Sequence, residues 1–409
     1  MKITLTLTLL SLSLSAFAQS RLTHPVQEAT FQQLAEVTGS QAGDDFGASV
    51  AVSGNTLVVG APAASSVGAA YVYTATNGDW TNLALVATLT PPAGQSGFGY
   101  PVAISGDTIV VGDSGPTEAV AYVFVNPSGN ATPAAELSTS VVSGGSITGL
   151  GIEGGTIVLG MPFALGVPHG EGAAFVYVEP STGWANMTQT AELLSKDENT
   201  FFGWSAAISG RAIVVGATEV TVGRVEQGAA YLFLEPAAGW SGTSGPTTEL
   251  EASSGTRKAE FGYSVSVSGE TVAIGAPQET IGSSQNSGSV YMFTRPSTGW
   301  PKTMTETTEL TAGAGGSELG LSVALSGKTL VAGAPFQRMG QGFVYAFVEP
   351  SGGWQNGAQA KQIAASDGTD NDLFGYFVAI SGGVIVAGAI ESSSISPGDG
   401  AAYVFGVSH

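Results

Sequence analysis

The sequence predicts an all-β chain: a seven-bladed β-propeller of four-stranded blades, its ring closed by the N-terminal strand. Three observations carry that expectation. A stretch first met as FGASVAVSGNTLVVGAP, Phe46 to Pro62, returns along the whole chain. Each return keeps two glycines at fixed spacing with a β-branched run between them. The composition, with 59 Gly and only 11% charged residues among 409, is rich in turn formers and poor in the Lys, Glu and Arg that favour helices.

The copies begin near Phe46, Phe98, Ser146, Phe202, Phe261, Leu319 and Phe374; the third and sixth lack the opening Phe. Recurrence of this kind marks stacked structural units. The first glycine of each frame is Gly54, Gly106, Gly154, Gly210, Gly269, Gly327 or Gly382. The second is Gly60, Gly112, Gly160, Gly216, Gly275, Gly333 or Gly388. Apolar residues alternate with Ser and Gly before the first glycine, and a run such as Leu57-Val58-Val59 follows it, so each copy reads as two strands. A glycine at the first of two central positions supplies the positive φ of a type II′ turn, so each copy is a tight hairpin.

From the N-terminus, Met1-Lys2, the apolar run Ile3 to Leu14 and the site Ala16-Phe17-Ala18 read as a secretory signal peptide over residues 1–18. The run is shorter than the ~20 residues a membrane helix needs, so export without a membrane span is expected. A polar leader occupies residues 19–33, and the propeller spans residues 34–409. It opens with LAEV at Leu34, an element that returns as LVAT at Leu85, AELS at Ala135, AELL at Ala191, TELE at Thr248, TELT at Thr308 and KQIA at Lys361. After each hairpin comes a strand with aromatics at alternate positions, from Tyr71 and Tyr73 to Tyr403 and Phe405, which places each pair on one sheet face.

Four short strands recurring about every 55 residues must cover both sheet faces, and radial packing does so. Small residues on the first strand suit the crowding near an axis. LAEV precedes the first hairpin and only Gly406 to His409 follows the last aromatic strand, so Leu34–Val37 is expected to pair with Ala402–Phe405 and complete the last blade.

With FG opening the first strand and GAP ending the second, the units resemble the FG-GAP repeat, found in the seven-bladed propeller of integrin alpha subunits and in many secreted bacterial proteins. The resemblance covers nearly all of the chain after residue 33. It implies an exported, non-catalytic binding or adhesion scaffold. Several integrin blades hold calcium in a DxDxDG loop between first and second strands; the corresponding turns here are two residues long, so those sites are not carried over.

The absence of cysteine excludes disulfides, thiolate metal sites and a cysteine nucleophile. A net charge of −20 with 12 dispersed Lys and Arg argues against a nucleic-acid partner. His24, His169 and His409 are too scattered for a triad or a three-ligand metal site. Calcium is the one cofactor with any spacing in its favour, through Asp367, Asp370 and Asp372, with Asp44-Asp45 and Asp197-Glu198 in equivalent loops. Turn-forming aspartates explain these loops without a metal, and no cofactor is assigned. Paired carboxylates among the 32 acids leave a polysaccharide hydrolase or lyase as the alternative from another class.

Trp80, Trp184, Trp240, Trp300 and Trp354 share one turn position, four of them in motifs such as PSTGW. Two readings stand: packing over the end of each blade with the N–H left to water, which is preferred, or a ring of indoles that stacks sugars, which makes the protein a lectin. Trp204 shares its place after FG with Tyr100, Tyr263 and Tyr376, and inter-blade packing accounts for all four. The loops between second and third strands vary most and lie on the same face as the loops before FG. Variable loops on a rigid scaffold are where binding is expected. The candidate ligand-binding residues are therefore Phe163, Leu165, His169, Glu219, Arg224, Glu226 and Gln278, for an extracellular protein or a surface glycan.

Overall fold

The structure is a computed structural model and describes residues 30–408 except 40, 42, 93–96, 115–118, 141–145, 168–171, 198–199, 313–314, 356–359 and 393–397. The signal peptide, most of the leader, and all three histidines lie outside the described residues. Among the described residues the strands form seven sheets of four or five strands, and a separate two-stranded ribbon. The sheets are the blades of a seven-bladed propeller. Blade 1 runs outward through Ser49–Ser53, Thr56–Ala61, Ala69–Thr76 and Asp79–Leu89.

Each hairpin is as tight as its glycine requires. Ser53 pairs with Thr56, and Ser326 with Thr329, leaving two residues in the turn. The first-position glycines all have φ between 54° and 59° and nothing near where a β-carbon would stand, so conformation rather than space selects them. In blade 7 both Gly382 and Gly383 have positive φ, which makes that turn type I′ instead of II′.

The second glycine is selected by space. A β-carbon on Gly60, Gly160, Gly216, Gly275, Gly333 or Gly388 would fall on the carbonyl of Gly99, Gly203, Gly262, Gly320, Gly375 or Gly47, each in the next blade. The glycines of FG and GAP are thus two sides of one backbone contact that sets how closely neighbouring blades approach. In the third copy the Thr148 amide donates to the Gly160 carbonyl at 3.1 Å, as Gly47 donates to Gly60 at 3.0 Å. Ile147, fully buried, therefore fills the Phe position one residue later than the sequence frame places it.

Where the frame keeps the Phe of FG, that ring packs against the blade's own aromatic pair. Phe261 stands 5.2 Å from Tyr291 and 6.1 Å from Phe293; Phe202, Phe98 and Phe374 repeat the arrangement with their own pairs. Tilted and edge-on contacts like these add ~0.5–1.5 kcal/mol each beyond the area buried. The serines of the frame have a defined task. Ser53, Ser105, Ser209 and Ser268 accept the turn-glycine amide of the next blade at 3.1–3.2 Å, and Glu153 replaces serine toward Gly210.

Closure occurs as the strand count requires. Thr30–Thr38 is the outer strand of blade 7, antiparallel to Ala401–Ser408, with Gln33 opposite Phe405, Val37 opposite Ala402 and a bulge at Leu34. The strand begins at Thr30, so the last residues of the polar leader belong to the sheet. A feature without a signature in the repeats lies at the rim. Four blades gain a parallel fifth strand from the unit that follows: Gly129–Ala131, Met187–Thr188, Gly242–Ser244 and Thr303–Thr305 add to blades 1 to 4.

Candidate functional site

The loops between second and third strands share a face with the segments before FG, and the two sets are laced together. The amides of Phe98, Phe261, Leu319 and Phe374 donate to the carbonyls of Val67, Gln227, Ser287 and Gln341, each in the loop of the preceding blade. The residue before the Phe position takes a positive φ in Asp45, Phe201, Glu260, Glu318 and Leu373, between 52° and 57°. This left-handed turn is uncommon for residues other than glycine. It brings Phe201, Glu260 and Glu318 to the mouth of the axis.

Just inside that mouth lies a cavity of about 220 Å³ lined by inner-strand residues, among them Tyr100, Trp204, Tyr263, Leu321, Tyr376 and Phe377. Ring contacts run around it: Trp204 to Tyr263 at 5.4 Å, Tyr376 to Phe377 at 5.3 Å, and Phe377 to Tyr100 at 5.5 Å. Inter-blade packing is therefore only half of what these residues do. They form a half-buried aromatic collar with one side on the cavity. Tyr100, Trp204, Tyr263 and Tyr376 recur in register just after FG, and that was the signal available in the sequence.

A second recess of about 270 Å³ opens beside the collar and shares Trp204 and Tyr263 with it. Phe201, Thr218, Glu219, Glu226, Lys258, Glu260 and Gln278 complete its wall. Gln278 Nε2 donates to Glu260 Oε1 at 3.0 Å, and Arg257 reaches Glu226 at 3.5 Å. Burial, then the neighbouring Glu318 and Glu219 carboxylates, holds Glu260 above the ordinary carboxylate range against the pull of Gln278 and Lys258. Burial alone raises Glu318. Burial and then Tyr376 push the Tyr100 hydroxyl up to about 12. Tyr263 is raised by burial, then by Tyr376, Tyr100 and the two carboxylates.

Of the residues singled out in the sequence, Phe163, Glu219, Glu226 and Gln278 converge here. Phe163 stacks edge-on against Phe201 at 5.2 Å and Trp204 at 6.4 Å. Leu165 is exposed on its loop, and Arg224 is exposed at the tip of the two-stranded ribbon Thr221–Val222 and Val225–Glu226, neither of them in the recess wall. His169 lies outside the described residues. Phe201, Lys258, Glu260 and Glu318 escape the sequence reading because their loops look like ordinary polar connections.

The aspartate loop is put to another use. Asp372 is buried and accepts from the Thr369 amide at 2.6 Å and the Thr369 hydroxyl at 2.9 Å, while Asp367 and Asp370 are exposed. Asp197 accepts from the Tyr231 hydroxyl at 2.6 Å. Among the described residues no three metal-ligating side chains converge.

The repeated tryptophans are not a ring of exposed indoles. Trp80, Trp240 and Trp354 are buried, and Trp184 and Trp300 are half-buried against the core. Each wedges between its own blade and the one before: Trp240 packs with Val158 and Val176 of blade 3 as well as Phe233 of blade 4. The indole N–H of Trp184 and of Trp354 is shut away from solvent and finds no acceptor, so it is not left to water as the sequence suggested.

The model of the FG-GAP repeat matches residues 34–73, 187–233, 246–293 and 358–405, which carry the hairpins of blades 1, 4, 5 and 7. The chain carries FG-GAP repeats at these four positions. Blades 2, 3 and 6, whose hairpins lie outside the matched residues, show the same strand order with a substituted frame: Asp113 in place of the GAP alanine, Ile147 and Leu319 in place of Phe. No curated protein matches the chain. FG-GAP propellers are a general binding and scaffold architecture, and no helix among the described residues is long and apolar enough to cross a membrane.

Proposed function

We propose that this FG-GAP propeller is an exported, non-catalytic binding scaffold that engages an extracellular protein or surface glycan through the loop face, with the axial mouth as the anchor point. The observation that carries the reading is the convergence of half-buried rings and carboxylates from several blades, Phe163, Phe201, Trp204 and Tyr263 with Glu219 and Glu260, at two joined recesses on the variable face. Around the mouth the same face carries exposed apolar side chains, Leu165, Ile281, Phe336 and Met339. Apolar and aromatic side chains rimmed by charge suit a protein partner better than a sugar. The acidic recess, on a chain of net charge −20, selects for a basic group in that partner. Export rests on the signal-peptide pattern of residues 1–18.

Screening the purified protein on cell-surface protein and glycan arrays tests this. Trp204→Ala and Tyr263→Ala should abolish any interaction found on the loop face. Retention of binding in both variants refutes the placement.

A second reading has one observation in its favour. Glu260 and Glu318, both held toward protonation, stand near each other at a central funnel, which is where a polysaccharide-cleaving enzyme places a general acid. Release of reducing ends from a polysaccharide panel, abolished by Glu260→Gln, would favour it; no release from the intact protein leaves the binding reading in place.

A further inference from the structure

On the opposite face, we infer that the groove between the hairpin ends of blades 4 and 5 is a second binding site, one that takes a neutral saccharide. The groove encloses about 410 Å³, bordered by the indole of Trp300, by Arg211 and Arg295, and by Glu153 and Glu270. Its indole, like that of Trp184, is only half-buried. Trp80, Trp240 and Trp354 are buried in the core, whereas Trp300 packs one side on the cluster of blades 4 and 5 and keeps another on the groove. The equivalent groove between blades 1 and 2, where the second unit lacks the tryptophan, is lined by Asp107, Asn126 and Pro127, with neither an aromatic ring nor a basic residue.

The polar groups are held in place by each other. Arg295 Nη1 donates to Glu270 Oε1 at 2.7 Å, Arg211 donates to the Glu235 carbonyl oxygen, and Glu153 accepts the Gly210 amide. A guanidinium has five N–H donors and a carboxylate about four acceptor sites, so each retains hydrogen-bonding capacity toward a ligand. An apolar ring face beside a fixed donor fork and a fixed acceptor matches a pyranose: its C–H face lies on the indole and its neighbouring hydroxyls bridge guanidinium and carboxylate. The charge of the wall decides against an ionic ligand. Two arginines and two glutamates balance within the groove, so an acidic sugar would meet as much repulsion as attraction. This site is independent of the axial mouth and shares no residue with it.

The test is calorimetric titration of the full chain with neutral gluco-, galacto- and manno-oligosaccharides, and with tetragalacturonate as the acidic counterpart. At least one neutral oligosaccharide should bind. Trp300→Ala should weaken it about tenfold, the worth of a lost aromatic contact, and Arg211→Ala with Arg295→Ala should weaken it as well. Should Trp300→Ala fail to fold, Trp300→Phe should show a smaller loss. Trp204→Ala should leave this binding unchanged while removing any binding at the loop face, which separates the two sites. Absence of binding by every neutral oligosaccharide, preference for tetragalacturonate, or binding lost in Trp204→Ala and kept in Trp300→Ala each overturn the inference.

Discussion

Gly60 of the first blade lies against the carbonyl of Gly99 in the second, with no space between them for a β-carbon. The pairing recurs at five further blade junctions, so the two halves of the FG-GAP frame exist for each other across an interface rather than within a strand. Gly60→Ala must separate two backbones, a change at least as severe as ordinary core overpacking, ~1–3 kcal/mol. Gly54→Ala meets no neighbour and bears only the left-handed conformation, ~1–2 kcal/mol. Denaturant unfolding of the two variants should rank Gly60→Ala as the more damaging; the reverse order would mean that the interface yields.

Removal of residues 31–37 should lower the melting temperature sharply. The deletion strips the outer strand from blade 7 and bares the edge of Ala401–Ser408, an exposed template for aggregation. Light scattering on heating, beside the melting curve, checks both effects, and an unchanged melting curve contradicts closure by this strand.

Trp240→Ala and Trp204→Ala should separate stability from binding. Trp240 is buried between blades 3 and 4, and its truncation is expected to cost ~3–5 kcal/mol. Trp204 faces the axial cavity on one side, so its truncation should cost less stability while removing loop-face binding. Equal melting temperatures for the two variants would remove the distinction drawn between wedge and collar.

Stability should depend on pH through the mouth carboxylates. Glu260 and Glu318 have folded-state values above 4.5, so the folded chain retains protons that the unfolded chain has released. Their contribution is full below 4.5 and is lost as pH rises through their raised values. Glu260→Gln, neutral at every pH, should flatten that decline in a series of melts from pH 4 upward. A variant with the same slope as the parent would show that Glu260 does not titrate differently on folding.

Excess chelator should leave the melting temperature unchanged. Asp372 accepts from Thr369 with both carboxylate oxygens, so hydrogen bonds within the loop hold it. A metal bound only to the folded state would stabilise it by linkage, so a fall of several degrees on chelation would point to a bound ion and return attention to Asp367 and Asp370.

What the sequence alone determined is what repetition and local chemistry fix. The turn glycines dictate hairpins, the alternate aromatics dictate a shared sheet face, and seven out-of-phase sets of strands dictate closure, because each depends on residues close in the chain or on counting. The tertiary structure decided what depends on neighbours in other blades. The GAP glycine answers to an FG carbonyl in the next unit, the tryptophans are wedges because the preceding blade covers them, and the serines are tied to amides of the following turn. The site divides in the same way. Phe163, Glu219, Glu226 and Gln278 could be found by loop variability, whereas Trp204, Tyr263, Glu260 and Glu318 become a collar and an acidic recess only when separate blades converge on one axis. Convergence of that kind is a property of radial packing, which no stretch of sequence carries by itself.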